Sequence, residues 1–173
     1  MKHLITITLL IVTLMLSGCG QKLPPGMPKL YETGLTITQD GSPLTKANVT
    51  VISGDYSKLP YSGGGQTDAG GQLRLTTEGR YRGLPAGQYI VTVSKVEGPD
   101  IALPAKVVTD AEIAEFDKLT AEIRQKSFEV VGEEFADTET SPLRLEVPKR
   151  KTSVTLDVSP KVQRKLAVDT TER

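Results

Sequence analysis

The side chains able to do covalent or proton-transfer chemistry in this 173-residue chain are few. There is one cysteine, Cys19, and one histidine, His3, both at the N-terminal end. A chain shortened to begin at Cys19 has no imidazole. That removes Ser-His and Cys-His nucleophile pairs, imidazole zinc sites and the usual general base near neutral pH. Carboxylates gather at Glu129, Glu133, Glu134, Asp137 and Glu139 around Phe128 and Phe135. Paired acids of this kind serve glycoside hydrolysis or hold a hard cation, but no spacing here singles out a pair, and a solvated loop over 128–140 is the plainer reading. Asp68 in Thr67-Asp68-Ala69-Gly70 lacks the alternating oxygens and distal glutamate of a calcium loop, so it reads as a turn residue bonding nearby amides. Gly63-Gly64-Gly65 lacks the lysine and the following helix of a phosphate loop and reads as a flexible hairpin end. The expectation is a non-catalytic protein with no cofactor and no metal.

The one thiol has a different prospect. Lys2 supplies a positive start, and 4–16 is apolar except for Thr6, Thr8 and Thr13. That length suits a signal-peptide core and falls short of the roughly 20 residues that span a bilayer. It ends in Leu16-Ser17-Gly18-Cys19, the pattern of a bacterial lipobox. Leu16, Ser17 and Gly18 would be read by the signal peptidase, and Cys19 would receive the lipid. An ordinary signal peptide with a chance cysteine competes with this, but the cysteine is unique and correctly placed. Several acyl chains, at about 0.8 kcal/mol per buried methylene, make a durable membrane anchor. Gly20 stands where an inner-membrane lipoprotein carries aspartate, so the predicted address is the cell envelope, at the outer membrane.

The organisation expected is a signal peptide over 1–18, a lipidated Pro/Gly tether over 19–29, a β domain over 30–158 and a polar, frayed tail over 159–173. The 21 basic and 21 acidic residues balance, and cleavage before Cys19 removes Lys2, leaving 20 against 21. Such a balance gives no reason to expect nucleic-acid binding. Period-two alternation predicts strands over 30–38 (Leu35, Ile37 inward), at Ala47, Val49 and Val51, at Leu73 and Leu75, at Tyr89, Val91 and Val93, at Leu143, Leu145 and Val147, and at Val154, Leu156 and Val158. Asp40-Gly41-Ser42-Pro43 reads as a hairpin turn. Residues 98–142 break the rhythm. Thr109-Asp110-Ala111-Glu112 is a capping box, and Ile113, Phe116, Leu119 and Ile123 recur at helical spacing with a Glu122–Lys126 pair. They predict one helix, roughly 110–126, its apolar stripe packed on a sheet edge or face.

The run Thr67-Asp68-Ala69-Gly70-Gly71-Gln72-Leu73-Arg74-Leu75, followed by Gly83-Leu84-Pro85-Ala86-Gly87-Gln88-Tyr89-Ile90-Val91-Thr92-Val93, resembles the carboxypeptidase regulatory-like family, whose sandwich is similar to transthyretin. With Gly18-Cys19-Gly20, Leu35 to Leu44 and Glu139-Thr140-Ser141-Pro142-Leu143, the chain is similar to small lipoproteins of the planctomycete type. The resemblance spans most of 19–158 and implies an all-β, transthyretin-like or immunoglobulin-like antiparallel β-sandwich of about seven strands, the helix sitting in an insertion over 98–142. It implies no activity. The expected role is a lipid-anchored structural or protein-binding module of the envelope, whose partners are the membrane, through Cys19, and an envelope protein. A carbohydrate-binding module is the alternative, with Tyr56 and Tyr61 as the ligand loop.

Overall fold

A computed structural model of the protein describes residues 21–55 and 57–166. In chain order the strands are Leu30–Tyr31 (β1), Thr33–Gln39 (β2), Ser42–Pro43 (β3), Asn48–Ser53 (β4), Ser62–Gln66 (β5), Gln72–Arg74 (β6), Thr76–Thr77 (β7), Tyr81–Arg82 (β8), Leu84–Pro85 (β9), Gly87–Ser94 (β10) and Val96–Glu97 (β11). The helix Asp110–Lys126 (α1) follows, then Phe128–Glu129 (β12), the short helix Glu133–Ala136 (α2), Arg144–Val147 (β13), Thr152–Asp157 (β14) and Arg164–Lys165 (β15). The protein is mostly β, with antiparallel sheets and one substantial helix.

Two larger sheets carry the core. One has the order β13-β10-β4-β5-β7-β8; in the other β2 is central, with β14 on one side and β3 and β6 on the other. β14 runs parallel to β2, the one departure from the all-antiparallel expectation among these pairings. Period-two alternation works as expected in β2, β4 and β10: Leu35, Ile37, Val49, Val51, Tyr89, Val91 and Val93 are buried, and the inward faces of both sheets meet in one hydrophobic cluster. Full burial of each such aliphatic stabilises by roughly 1.5–3 kcal/mol before the entropy of ordering is charged. Asp40 and Gly41 both have positive φ (49° and 75°), the tight turn that suits the twist of the β2–β3 hairpin. The single strand expected over 30–38 is interrupted at Glu32, where the chain changes partner from β9 to β6 and β14.

The glycine run is a correction. Gly63, Gly64 and Gly65 lie in β5, paired to β4 on one side and β7 on the other, rather than in a flexible hairpin end. A Cβ at Gly63 would come within 2.6 Å of Leu84 Cδ2, and one at Gly64 would collide with the Val49 carbonyl. Small residues are needed because the strands approach too closely for anything else.

Residues 128–140 are also corrected. Val130, Val131 and Phe135 are buried, so this acid-rich stretch feeds the core instead of forming a solvated loop. The buried amide of Gln39 draws it in, donating to the Val130 carbonyl at 2.8 Å. The expected tail is bound over 159–166: β15 pairs with β12, the Lys161 amide donates to Asp40 Oδ2 at 3.0 Å, and Val162 N–H donates to the Val130 carbonyl at 3.2 Å.

The helix forms where expected. Thr109 caps it, its hydroxyl accepting from Glu112 N–H while the Glu112 carboxylate accepts from Thr109 N–H, and Lys126 pairs with Glu122 at 2.7 Å. The predicted packing of its stripe is only partial: Phe116, Leu119 and Ile123 are half-buried, Ile113 is exposed, and no residue of α1 is fully buried. Its excursion leaves the body at Glu97 and returns at Phe128, which are paired to each other at the base.

Candidate functional site

β2, β6 and β14 present their alternate residues away from the core. In register these form rows: Arg74, Gly34 and Ser153, then Gln72, Thr36 and Thr155. Gly34 contributes no side chain to the first row, and over it opens a groove of about 450 Å³. Its rim carries Arg74, Arg82, Lys151, Glu32 and Asp68, with Thr36, Gln72 and Ser153 as neutral hydrogen-bonding groups. Arg82 is set there by the backbone of its neighbour. Gly83 has φ +93° and lies so close to the Tyr31 carbonyl that a Cβ would collide with it, while its N–H donates to the Leu75 carbonyl at 2.9 Å.

The charges in the groove are unevenly matched. Lys151 Nζ lies 2.8 Å from Glu32 Oε2. That hydrogen bond, helped by the charges of Arg74 and Arg82, holds the Glu32 carboxyl below the usual carboxylate range. The Asp68 carboxylate accepts from the N–H groups of Gly70 and Gln72, both at 2.8 Å, which closes the turn before β6. Among the described residues, neither Arg74 nor Arg82 is in an ion pair. The groove therefore offers two unmatched guanidinium forks, the donor geometry that suits carboxylate or phosphate.

The residues expected from sequence fall elsewhere. Leu16, Ser17, Gly18, Cys19 and Tyr56 lie outside the described residues. Tyr61 is half-buried, and its hydroxyl donates to the Gly26 carbonyl at 3.5 Å. A second depression, about 440 Å³, is lined by Ser53, Asp55, Lys58, Leu59 and Gln88 among others, and Tyr61 is not part of it. Glu129 and Glu133 both bind Arg164, so the nearest thing to a carboxylate pair is bridged by a cation. Among the described residues no group of three or more His, Cys, Asp or Glu side chains is placed to hold a metal ion, and no helix is long and apolar enough to cross a membrane.

The N-terminal segment is placed differently from a free spacer. The Arg82 N–H donates to Gln21 Oε1 at 2.7 Å, and Gln21 Nε2 donates back to the Arg82 carbonyl at 3.4 Å. Leu23, Pro24 and Met27 are half-buried. From Gln21 onward the expected tether lies against the body beside the groove.

The chain matches no known family model, no curated protein and no solved structure.

Proposed function

We propose that this chain is a lipid-anchored lipoprotein of the cell envelope, at the outer membrane, and that its role is non-catalytic: it holds a protein partner. The anchor rests on the lipobox Leu16-Ser17-Gly18-Cys19, and the non-catalytic reading on a sequence whose only imidazole and thiol lie at or before residue 19. In this reading the two core-forming sheets are the layers of a transthyretin-like or immunoglobulin-like sandwich. Support comes from the single cluster shared by Leu35 and Ile37 of one sheet and Val51, Val91 and Leu145 of the other.

One observation carries the binding role. Among the described residues the exposed large apolar side chains are Val96 (52 %), Leu103 (42 %), Val108 (68 %) and Ile113 (47 %), all within 96–113 at the start of the helical excursion. Exposed apolar residues gathered in one short stretch of chain point to an interaction segment, whereas scattered single residues need no explanation. The test is a pull-down from envelope extract with the full chain and with a Val108→Glu/Ile113→Glu variant, alongside a glycan array. A stoichiometric protein held by the parent and lost by the equally stable variant supports the reading. Identical retention by both chains, or a glycan hit without any protein, sinks it.

A further inference from the structure

We propose that the groove over Gly34 is a phosphate site for anionic lipid headgroups, which seats the sheet body on the bilayer that carries the Cys19 anchor. This rests on the anchored reading above and adds to it a surface, a ligand and an orientation.

Three observations converge. The first is chemical. Arg74, Arg82 and Lys151 line one groove against Glu32 and Asp68, leaving an excess of one positive charge. Glu32 is bound by Lys151, and Asp68 keeps its charge while accepting from two amides, so the two guanidiniums, neither in an ion pair, leave one positive charge to be matched. A planar guanidinium fork binds a phosphate oxygen pair with charge-assisted hydrogen bonds.

The second is positional. Gln21 brackets the backbone of Arg82 through two hydrogen bonds. Cys19 precedes Gln21 by two residues, a chain length of at most about 7 Å. The described chain therefore begins, at Gln21, beside one of the groove's own arginines, and in the anchored reading the anions near that starting point are the phosphates of the surrounding lipids. A tether free of the body would have left the groove's orientation open.

The third is the surrounding charge. Lys149 and Arg150, both exposed, precede Lys151 in the same turn. The whole-chain balance of 21 against 21 conceals this local excess. A basic cluster beside a lipid anchor is the arrangement that adds electrostatic attraction to acyl insertion.

The test uses the full chain, purified with its lipid and reconstituted into vesicles of phosphatidylcholine with or without phosphatidylglycerol. Lys151 is acylated with a water-soluble amine reagent and read by mass spectrometry, with Lys126 of α1 as the reference for general reagent access. On phosphatidylglycerol vesicles Lys151 labelling is expected to fall relative to Lys126, and the effect should fade with added salt. In an Arg74→Ala/Arg82→Ala variant, whose changed side chains are exposed and leave the core intact, that protection should drop roughly tenfold or more. Protection that ignores lipid composition, or survives the double substitution, overturns the proposal. Equal protection by inorganic phosphate in detergent reassigns the groove to a free anion and overturns the headgroup as its ligand. The mass of the Cys19 peptide reports the anchor separately. An acylated chain without protection overturns the groove alone, whereas an unmodified Cys19 overturns both readings.

Discussion

Ile37, Val51 and Val91 in the sheet body have no exposed surface, while Ile113 in α1 is 47 % exposed and its helix has no buried residue at all. Both regions have aliphatic side chains at the spacing their secondary structure requires. The difference lies in neighbours. A strand such as β10 is flanked by β4 and β13, and its inward side chains share one hydrophobic cluster with residues of a second sheet, so each is covered from several directions. The helix projects from a two-residue pairing at its base and must hold itself together with local devices, the Thr109–Glu112 box and the Glu122–Lys126 pair. The body is thus stabilised by tertiary contacts and the excursion by contacts along its own chain, which leaves large apolar side chains such as Val108 and Ile113 exposed.

Four measurements break or sharpen that contrast. The largest effect is expected at Ile37→Ala, which should lower the unfolding free energy by about 2–5 kcal/mol in urea titration. The matching Ile113→Ala should change it by no more than about 0.5 kcal/mol. A comparable loss at both positions would end the distinction.

The second concerns Tyr89, buried with its hydroxyl donating to the Pro85 carbonyl at 2.8 Å. Burial pushes its phenol from 10.0 up to about 12. The neutral form is the one favoured on folding. Its contribution is therefore intact below pH 10 and lost as the pH climbs through 12, because the unfolded chain gives up the proton first. Roughly 2–3 kcal/mol of stability should disappear over that window in alkaline denaturation, and Tyr89→Phe should flatten this part of the curve.

Third, Gly64→Ala should cost about 1–3 kcal/mol, since its methyl meets the Val49 backbone. Free tolerance of alanine there would restore the flexible-loop reading of 63–65. The smallest effect belongs to the cap. Thr109→Ala should weaken the helix by about 1 kcal/mol, seen as faster amide exchange in its first turn, with the unfolding midpoint of the body unchanged.

Legibility in the sequence follows the same division. Thr109, Glu112, Glu122 and Lys126 foretell α1, and the alternating faces of β2, β4 and β10 can be read from Leu35, Val49 and Tyr89 onward. The destination of the helix could not be read, because a stripe of Ile113, Phe116, Leu119 and Ile123 is equally apolar whether it meets a sheet or solvent. Glycine is sparse in strand interiors, so Gly63-Gly64-Gly65 looks like a loop until its close neighbours are known. In the groove the only local hint is Gly34, which interrupts the outward series of Thr36 and Thr38. Arg74 reads as one more exposed residue of an alternating strand, and nothing near Arg82 or Lys151 in the chain points to it.

What the sequence by itself determines about this protein is therefore what neighbours in the chain decide. That covers the capped helix, the Asp40-Gly41 turn and the inward faces of the long strands. Tertiary structure alone decided that the glycine run is an inner strand, that Val130, Val131 and Phe135 complete the core, that β14 joins β2 in parallel, and that Arg74, Arg82 and Lys151 share a groove beside Gln21. The physical reason is range. Caps, turns and amphipathic periods are energies between residues a few positions apart, whereas burial and charge convergence depend on segments that only folding brings together.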